Sequence, residues 1–364
     1  MKTLAVHQSS ELYGSDRSFL SVISAIFEPD AENHEVDVLL PEPGPLAIEL
    51  DNLGARVSYE SRGYLRRAAI RRPFKFIFES LLTTWVIFRK FKSYDIIYIN
   101  TVVCFSAILA VTFTNKRKFV HVRELPTGFE MIAFRLLLRL SRAKLIFNSD
   151  ATKRAFGLPG LVVYNGVAAP DAHTNEWTTH DCAERHIRIL LLGRINNWKG
   201  QDLLIKALAL TDRSLEVCIV GSPISDQEHL LTELKQQATG IGHGKNIQFV
   251  EFTDKPEQYL DWADFVVVPS LKPEPFGRVA IEGFAHGKPV IGAKHGGLVE
   301  IITNQHNGYL FQPGSASALA EVLKQLPQPL SAEYGNLVAN ALSAYKERFS
   351  LTSYQKVMRA TLLK

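Results

Sequence analysis

The sequence predicts an α/β protein made of two doubly wound domains, and two observations support this prediction. Short runs rich in β-branched residues alternate with amphipathic segments almost from end to end of the 364 residues. The alternation stops once, at the polar and aperiodic stretch Pro170–Arg185, and then restarts. Because strands joined through helices form parallel sheets covered on both faces, we interpret this stretch as a linker between two such sheets.

Seven strands are predicted before the linker, each a short apolar run that ends at polar or turn-forming residues. The helical pattern between them is clearest over Ser15–Phe27 and Phe129–Ser141. The predicted strands are Leu4–His7, Val36–Leu40, Arg56–Tyr59, Ile96–Asn100, Phe119–Val122, Leu145–Asn148 and Val162–Tyr164.

Five more strands are predicted after the linker, with helices clearest over Gln201–Leu210 and Asp226–Thr239. In open α/β sheets, ligands bind outside the carboxyl ends of the strands. Two such domains facing across a cleft would offer one ligand site each, which suits transfer of a group from a donor to an acceptor. The predicted strands are Ile187–Leu192, Leu215–Val220, Ile247–Val250, Phe265–Val268 and Val290–Gly292.

The composition, with 46% apolar and 21% charged residues, is that of a globular protein. A formal net charge of +4 is small for a protein that coats nucleic acid. The cysteines Cys104, Cys182 and Cys218 are far apart and lack CxxC spacing, which argues against a disulfide framework or zinc site and favours a reducing cytosol. We recognise no signal peptide, and the apolar stretches Phe76–Phe88 and Val102–Phe113 are too short to cross a bilayer.

The most informative motif follows a predicted strand and contains two carboxylates, Glu274 and Glu282. Two prolines hold the loop extended, and Gly277 permits a tight entry into a helix. Both carboxylates can therefore project toward one cleft, Glu274 from the loop and Glu282 from inside the helix. Carboxylate oxygens accept hydrogen bonds from sugar hydroxyls, and the free amides of Phe276, Gly277 and Arg278 suit an oxyanion or a hydroxyl.

A second motif, Gly193–Gly200, follows another predicted strand and carries two cations, Arg194 and Lys199. Its last glycine opens a helix. A diphosphate here would meet a guanidinium fork, an ammonium group and the positive end of a helix dipole. His295–Gly297 could supply further backbone amides, and the glycine turn at Gly14 would face the same cleft from the first domain.

These residues resemble the retaining nucleotide-sugar glycosyltransferases of family four, which have the GT-B fold. Glu274 and Glu282 are separated by seven residues, like the Glu-x7-Glu motif of that family. The first 140 residues match only in pattern. The other matching elements follow in the family's order and are Asn165-Gly166-Val167, Gly193-Arg194…Lys199-Gly200, Ala263-Asp264…Pro269-Ser270 and Gly296-Gly297…Glu300.

The resemblance implies a role for each matching residue. Arg194 and Lys199 would hold the donor diphosphate, Glu274 would bind the donor sugar, and Glu282 would bind the ribose hydroxyls. His121 matches a histidine that contacts the sugar in many relatives. The implied catalytic residues are Glu274, Arg194, Lys199 and His121, and the implied donor-binding residues are Gly14, Gly193, Arg194, Lys199, Glu274, Phe276, Gly277, Arg278 and Glu282.

The resemblance also implies an organisation and a metal-free chemistry. Residues 1–168 would form an acceptor-binding Rossmann-like domain and 169–349 a nucleotide-sugar-binding one, and a final helix at about 350–364 would pack back on the first. No metal or other cofactor is expected, because the two cations would do the charge work of a magnesium ion.

Each assignment has an ordinary structural alternative. The two glutamates could be a loop carboxylate and an exposed helix carboxylate, and the two cations could be solvated surface residues. His121 could equally be a core histidine or a ligand contact, and Gly14 could be only a turn residue. The flanking motifs and the strand-to-helix context favour the functional interpretation of the glutamates and the cations.

A basic stretch from Arg62 to Lys92 contains nine Lys or Arg residues, one acid and several interleaved aromatic residues. This pattern suits an anionic membrane surface. The alternatives are a core helix with a solvated basic face and, least favoured, a nucleic-acid contact, since no recognition motif accompanies it.

We therefore expect a cytoplasmic glycosyltransferase, peripheral at the inner membrane face. It would move a sugar from a UDP- or GDP-sugar to a saccharide or lipid-linked saccharide with retention of configuration, in cell-surface polysaccharide or glycan biosynthesis. One alternative is a noncatalytic GT-B subunit that binds nucleotide sugars. Another is a dinucleotide-dependent oxidoreductase, which would need a GxGxxG turn that this sequence lacks.

Overall fold

The computed structural model of the protein describes residues 1–27, 34–64, 73–170, 186–223, 227–242 and 245–363. The chain divides into two compact units, Met1–Gly166 together with Leu351–Lys364, and Val167–Ser350. The predicted linker lies outside the described residues from 171 onward, as does the part of the basic stretch between 65 and 72.

The first unit contains a sheet of seven parallel strands in the order β3-β2-β1-β4-β5-β6-β7. Its strands are β1 (Lys2–Val6), β2 (Glu35–Leu40), β3 (Arg56–Tyr59), β4 (Ile96–Asn100), β5 (Arg117–Val122), β6 (Lys144–Phe147) and β7 (Leu161–Val162). The helices along this part of the chain are α1 (Gly14–Ile26), α2 (Pro45–Asn52), α3 (Pro73–Phe91), α4 (Phe105–Val111), α5 (Phe129–Ser141) and α6 (Asp150–Phe156).

The second unit contains six parallel strands in the order β10-β9-β8-β11-β12-β13. Its strands are β8 (Ile187–Leu192), β9 (Leu215–Val220), β10 (Lys245–Val250), β11 (Phe265–Val268), β12 (Val290–Ala293) and β13 (Gly308–Phe311). Its helices are α7 (Gln201–Ala209), α8 (Glu228–Thr239), α9 (Glu257–Trp262), α10 (Arg278–Ala285), α11 (Leu298–Ile301), α12 (Ala316–Gln325), α13 (Ala332–Ala344) and a π-helical turn, Tyr345–Phe349.

Strand β13 is absent from the sequence prediction, because its Gly-Tyr-Leu-Phe segment is short and has no β-branched residue. It is nevertheless paired with β12, where Gly308 lies opposite Val290. The bounds of β3, β4, β8, β9 and β11 are those predicted, and the other predicted strands differ from the observed ones by one or two residues at one or both ends.

Alternate residues of the first sheet point to opposite faces, and each face carries its own core. On one face, helices α3, α4, α5 and α6 pack over side chains such as Leu4, Ile97 and Val120. On the other, α1 and α2 pack over Ala5 and Val38. Both faces are therefore covered, which explains why the strands are almost wholly apolar.

The last helix, α14 (Leu351–Leu363), returns to the first unit. Its buried residues Tyr354, Met358 and Leu362 belong to the core that α1 and α2 cover. Arg117 Nη2 donates a hydrogen bond to the carbonyl of Leu362 at 2.9 Å. The first unit thus combines two separate parts of the chain.

The described helices include none that is both long enough and apolar enough to span a membrane. Cys104 and Cys218 are buried free thiols, and burial raises the pKa of the Cys218 thiol to about 11. They are therefore small apolar core residues in this fold, whereas Cys182 lies outside the described residues.

The strand order of the second sheet reverses between its neighbours β8 and β11, and the loops after these two strands touch. Gly200, which precedes α7, has a left-handed backbone with φ of 82°. A Cβ atom at this position would collide with the backbone carbonyl of Pro269 in the loop after β11. The close approach of the two loops therefore requires glycine here.

We expect Gly200→Ala to lower the free energy of unfolding by about 2 kcal/mol or more, because it adds both backbone strain and a steric overlap. Urea unfolding followed by circular dichroism measures this change. Gly242→Ala is the matched control, since a Cβ there meets open space, and its effect should stay within about 0.5 kcal/mol. Equal midpoints for the two variants would contradict the close approach.

Candidate functional site

The candidate site is formed by three loops at the carboxyl edge of the second sheet. The segments are Gly193–Gly200 after β8, Pro269–Gly277 after β11 and Lys294–Gly297 after β12. The first two loops follow the strands between which the order reverses. This switch point is where open α/β sheets bind their ligands.

At the centre of the site Lys199 and Glu274 form an ion pair, with 2.7 Å between Nζ and Oε1. The hydroxyl of Ser270 donates a hydrogen bond to the same carboxylate oxygen at 2.6 Å. Glu274 is only 6% exposed, so its charge is stabilised by the ammonium group and the hydroxyl rather than by bulk water. The ammonium group of Lys199 also lies 4.6 Å from the centre of the Trp198 ring, a favourable cation–π distance.

The backbones of these loops hold the pair in place. The amide of Gly297 donates to the carbonyl of Glu274 at 2.8 Å, and the amide of Leu271 donates to the carbonyl of Trp198 at 2.7 Å. A Cβ atom at Gly296 or Gly297 would collide with the backbone of the Glu274 loop. The glycine pair is therefore needed for the loops after β11 and β12 to pack this closely.

Ser270 and His295 support the Glu274 loop through contacts that the sequence analysis did not predict. The Nε2 atom of His295 lies 2.8 Å from the Ser270 carbonyl, so this nitrogen carries the proton and donates it. The other ring nitrogen, Nδ1, is buried without a hydrogen-bond partner in the described structure. The motif Pro269-Ser270 was the available signal, but it could not show which atom Ser270 contacts.

The loop after β8 is ordered by Asn196, whose Oδ1 accepts hydrogen bonds from the amides of Trp198 at 3.1 Å and Lys199 at 2.9 Å. Gly193 has φ of 157°, and the stem of Lys199 lies beside it. The side chain of Arg194 is exposed on the same loop. The two predicted phosphate-binding cations thus share one loop, and Lys199 is paired with Glu274.

Glu282 is one turn inside α10 and is paired with Arg278, with 2.7 Å between Nε and Oε1. Both side chains are partly buried. Phe276 is buried, and its ring lies 6.1 Å from that of Phe349. Its side chain is therefore a core anchor, and only its backbone is available for the predicted donor contact. Gly277 precedes α10 with φ of 108°, the conformation predicted for a glycine entry.

The other two predicted residues, Gly14 and His121, belong to the first unit. Gly14 is the first residue of α1. His121 lies in β5 with its ring fully buried. Its Nδ1 lies 2.9 Å from the Tyr98 hydroxyl and 3.3 Å from Arg123 Nη2. Since Arg123 can only donate, Nδ1 accepts and the proton is on Nε2, which is buried and has no hydrogen-bond partner among the described residues.

A buried chain of polar groups continues from His121 through the first unit. Arg123 Nε donates to Asn100 Oδ1 at 2.6 Å, and the Asn100 amide nitrogen lies 2.9 Å from His7 Nδ1. His7 Nε2 in turn lies 2.8 Å from Asp16 Oδ1. Burial lowers the pKa of His7 against the opposing effect of Asp16, and burial beside Arg123 lowers the pKa of His121 well below its usual value.

Arg123 also connects β5 with α14, because its Nη2 donates to the hydroxyl of Tyr354 at 2.9 Å. Its Nη1 donates to Asn165 Oδ1 at 2.7 Å. The motif residue Asn165 is therefore part of this network.

Two doubly wound units, each a parallel sheet covered by helices, define the GT-B class of α/β proteins. The HepE protein of Anabaena, solved in complex with UDP, has the same fold with a TM-score of 0.82 and 24% identity, covering 100% of both chains. Sucrose-phosphate synthase of Thermosynechococcus elongatus aligns with a TM-score of 0.77 and 18% identity, covering 99% of this chain and 98% of that one. The predicted fold class is confirmed.

Residues 179–328 match the family model of the glycosyl transferases group 1. Over this region the chain is similar to that family, which confirms the resemblance predicted from the sequence. A D-inositol 3-phosphate glycosyltransferase of Jonesia denitrificans is 37% identical over 144 residues, 37% of this chain and 34% of that protein. An uncharacterised glycosyltransferase of Methanocaldococcus jannaschii is 29% identical over 222 residues, 57% of this chain and 54% of that protein. The matched part of the chain thus spans about a third to a half of these relatives.

The buried histidines of the first unit predict a loss of stability in acid. His7 and His121 are neutral when folded, with pKa values below the 6.5 of an exposed histidine, so the unfolded chain takes up protons first as the pH falls. We expect the free energy of unfolding to fall as the pH drops below about 6.5, by up to about 1.4 kcal/mol per pH unit for each histidine. Urea unfolding between pH 7.5 and 5.5 measures the slope.

Variants isolate the two histidines from other titrating groups. The carboxyl of Glu124, whose pKa is raised by burial, contributes with the opposite sign in acid. His7→Gln and His121→Gln should each flatten the slope, whereas His229→Gln, at an exposed position, should leave it unchanged. Burial also lowers the pKa of His34, so part of the slope should remain when both buried histidines are replaced. A slope as steep as that of the wild type in this double variant would contradict the assignment.

Proposed function

We propose that the protein is a glycosyltransferase whose second unit binds a nucleoside diphosphate sugar. The observation that carries this proposal is the contact of 2.7 Å between Lys199 and Glu274 at the sheet's switch point. This contact places a cation that can bind a phosphate directly beside a carboxylate that can bind a sugar hydroxyl. A donor that spans this pair would have its diphosphate on one side and its sugar on the other.

In the donor complex Lys199 and Arg194 would share the diphosphate. The ammonium group of Lys199, now paired with Glu274, would also contact the phosphates. The planar guanidinium group of the exposed Arg194 would bind them from its side of the loop. Negative charge on the departing diphosphate grows as the bond to the sugar breaks, so these cations stabilise the transition state more than the bound donor. We propose that they do this without a metal ion or another cofactor.

The carboxylates would orient the two ends of the donor. Ser270 and Lys199 both contact Oε1 of Glu274, which fixes the carboxylate plane for contact with the sugar hydroxyls. Glu282 would accept hydrogen bonds from the ribose while Arg278 keeps its charge compensated. The backbone amides of Phe276, Gly277 and Arg278 at the start of α10 would face the phosphates or the sugar.

The reaction would proceed with retention of configuration. The bond between the anomeric carbon and the phosphate oxygen would break, and the acceptor oxygen would bond to the same face of the sugar. The leaving diphosphate would take the acceptor's proton, so atoms and charge balance without a protein nucleophile. Gly193 and Gly14 would allow backbone to approach the phosphates. His121 would join this set only through its Nε2–H donor, which is available to a sugar that reaches the buried edge of β5.

The substrates are proposed from related proteins. HepE of Anabaena has been crystallised with UDP and with UDP-glucose, which supports a UDP-hexose as the first donor to test, with a GDP-sugar second. The D-inositol 3-phosphate glycosyltransferases among the relatives act on a polyol phosphate by their name. For this chain we propose a saccharide or lipid-linked saccharide acceptor in cell-surface polysaccharide or glycan biosynthesis.

Calorimetry with UDP-, GDP- and ADP-sugars tests the proposal and identifies the base. Donor hydrolysis and transfer to candidate acceptors then separate an enzyme from a noncatalytic binding subunit. The anomeric configuration of the product, read by proton NMR, decides retention. Failure to bind any nucleotide sugar would overturn the proposed function.

Arg194→Ala and Lys199→Ala should each raise the barrier by about 2–4 kcal/mol, seen as a fall in kcat/KM, because each removes a cation from the leaving group. Lys206→Ala is the matched control, since Lys206 is an exposed cation of the same unit that pairs with Asp202, and it should keep full activity. Chelation with EDTA should also leave turnover unchanged. Full activity in both site variants would refute the mechanism.

A further inference from the structure

Over much of its length helix α3 buries hydroxyl side chains and exposes large apolar ones, although Ile87 and Phe91 near its end are buried in the core. Its hydroxyl residues Ser80, Thr83 and Thr84 are buried against the first unit. The hydroxyl oxygens of Ser80 and Thr83 have no hydrogen-bond partner there among the described residues. Burial of unpaired hydroxyls is unfavourable, so this orientation of the helix has an energetic cost.

The outward side of α3 is made of large apolar residues with exposed fractions between 44% and 65%, namely Ile77, Phe78, Leu81, Leu82 and Trp85. Their spacing puts them on one face of the helix. A helix that only had to cover a core would present polar residues to water at these positions.

Helix α5 repeats the pattern on the same side of the sheet. Phe129, Ile132, Leu136 and Leu140 are exposed at helical spacing, Phe129 by as much as 81%. The inward residues of α3, α4 and α5 belong to one core on one face of the first sheet. The exposed Phe113, just after α4, lies 6.5 Å from Phe88 of α3. Together these outward residues of α3 and α5, with Phe113, form what we name the α3–α5 apolar face.

Basic residues accompany the apolar face. Arg89 and Lys92 are exposed at the end of α3, and Arg135, Arg139 and Arg142 are exposed along and just after α5. The guanidinium group of Arg89 lies 4.8 Å from the Trp85 ring. The described acidic residues of these helices are Glu79 and Glu130, so positive charge prevails. A second copy on this face would bring like charges together, whereas anionic lipid headgroups would complement them.

We propose that the α3–α5 apolar face docks on the anionic surface of a lipid bilayer. The aromatic and aliphatic side chains would enter the boundary between headgroups and acyl chains, and the arginines and lysines would remain at the headgroups. Docking would bring the first unit to a lipid-linked acceptor, and only this explanation of its purpose rests on the proposed function. It extends the membrane contact predicted from residues 62–92 to a second helix, α5.

Vesicle flotation of the full chain tests docking without donor or acceptor, with pure phosphatidylcholine compared with phosphatidylcholine mixed with phosphatidylglycerol. The wild type should float with the anionic vesicles. Leu81→Ser/Trp85→Ser on α3 and Ile132→Ser/Leu136→Ser on α5 should each reduce the bound fraction by about tenfold or more. Lys92→Glu/Arg139→Glu should abolish the preference for anionic lipid. The control Phe252→Ser/Leu330→Ser replaces exposed apolar residues of the second unit and should bind like the wild type.

Light scattering of the same variants tests the alternative that a second copy of the chain covers this face. A dimer that the α3 and α5 variants dissociate, together with no flotation of the wild type, would assign the face to a second copy and overturn the proposal. Equal flotation of all variants would also overturn it. Donor binding by calorimetry should be unchanged in the surface variants. A variant that no longer floats but still binds the donor has lost membrane docking and nothing else. A wild type that floats but binds no nucleotide sugar would contradict the proposed function and leave the docking proposal standing.

Discussion

A buried carboxylate held by an ammonium group is the contact on which the candidate site depends. Glu274 has little access to water, and its charge is tolerable only because Lys199 and the Ser270 hydroxyl meet the same oxygen. The pair joins the loop after β8 to the loop after β11 across the switch point of the sheet. The groups that would grip a leaving diphosphate and orient a sugar are therefore positioned against each other before any substrate arrives, which lowers the cost of organising them later.

Glycines make this contact sterically possible. The loops around the pair approach one another through their backbones, at Gly200 against Pro269 and at Gly296–Gly297 against the Glu274 segment. Their motif positions thus have a packing explanation that is independent of any ligand. The same residues can still serve phosphate binding, because a loop without side chains at these points also exposes its amides.

The architecture could be predicted from the sequence because parallel strands buried on both faces are almost continuous apolar runs. Strand β13 was missed since its residues carry no such pattern. Glu274, Lys199 and Glu282 were proposed as site residues from motif spacing, but the ion pairs they form in the structure were not predicted. The spacing of residues along the sequence does not reveal that Ser270 donates to Glu274 or that Arg278 pairs with Glu282. The outward apolar side of α3 was equally hidden, because periodicity gives the faces of a helix without saying which one is buried.

The return of α14 to the first unit has a consequence for synthesis of the chain. The second unit, Val167–Ser350, is contiguous, so all of its core has been made by the time Ser350 is added. The first sheet is translated earlier but lacks Tyr354, Met358 and Leu362, which complete one of its cores. The hydrogen bond from Arg123 to the hydroxyl of Tyr354 likewise forms only after α14 has been made. The half of the protein that leaves the ribosome first is therefore the half that finishes folding last.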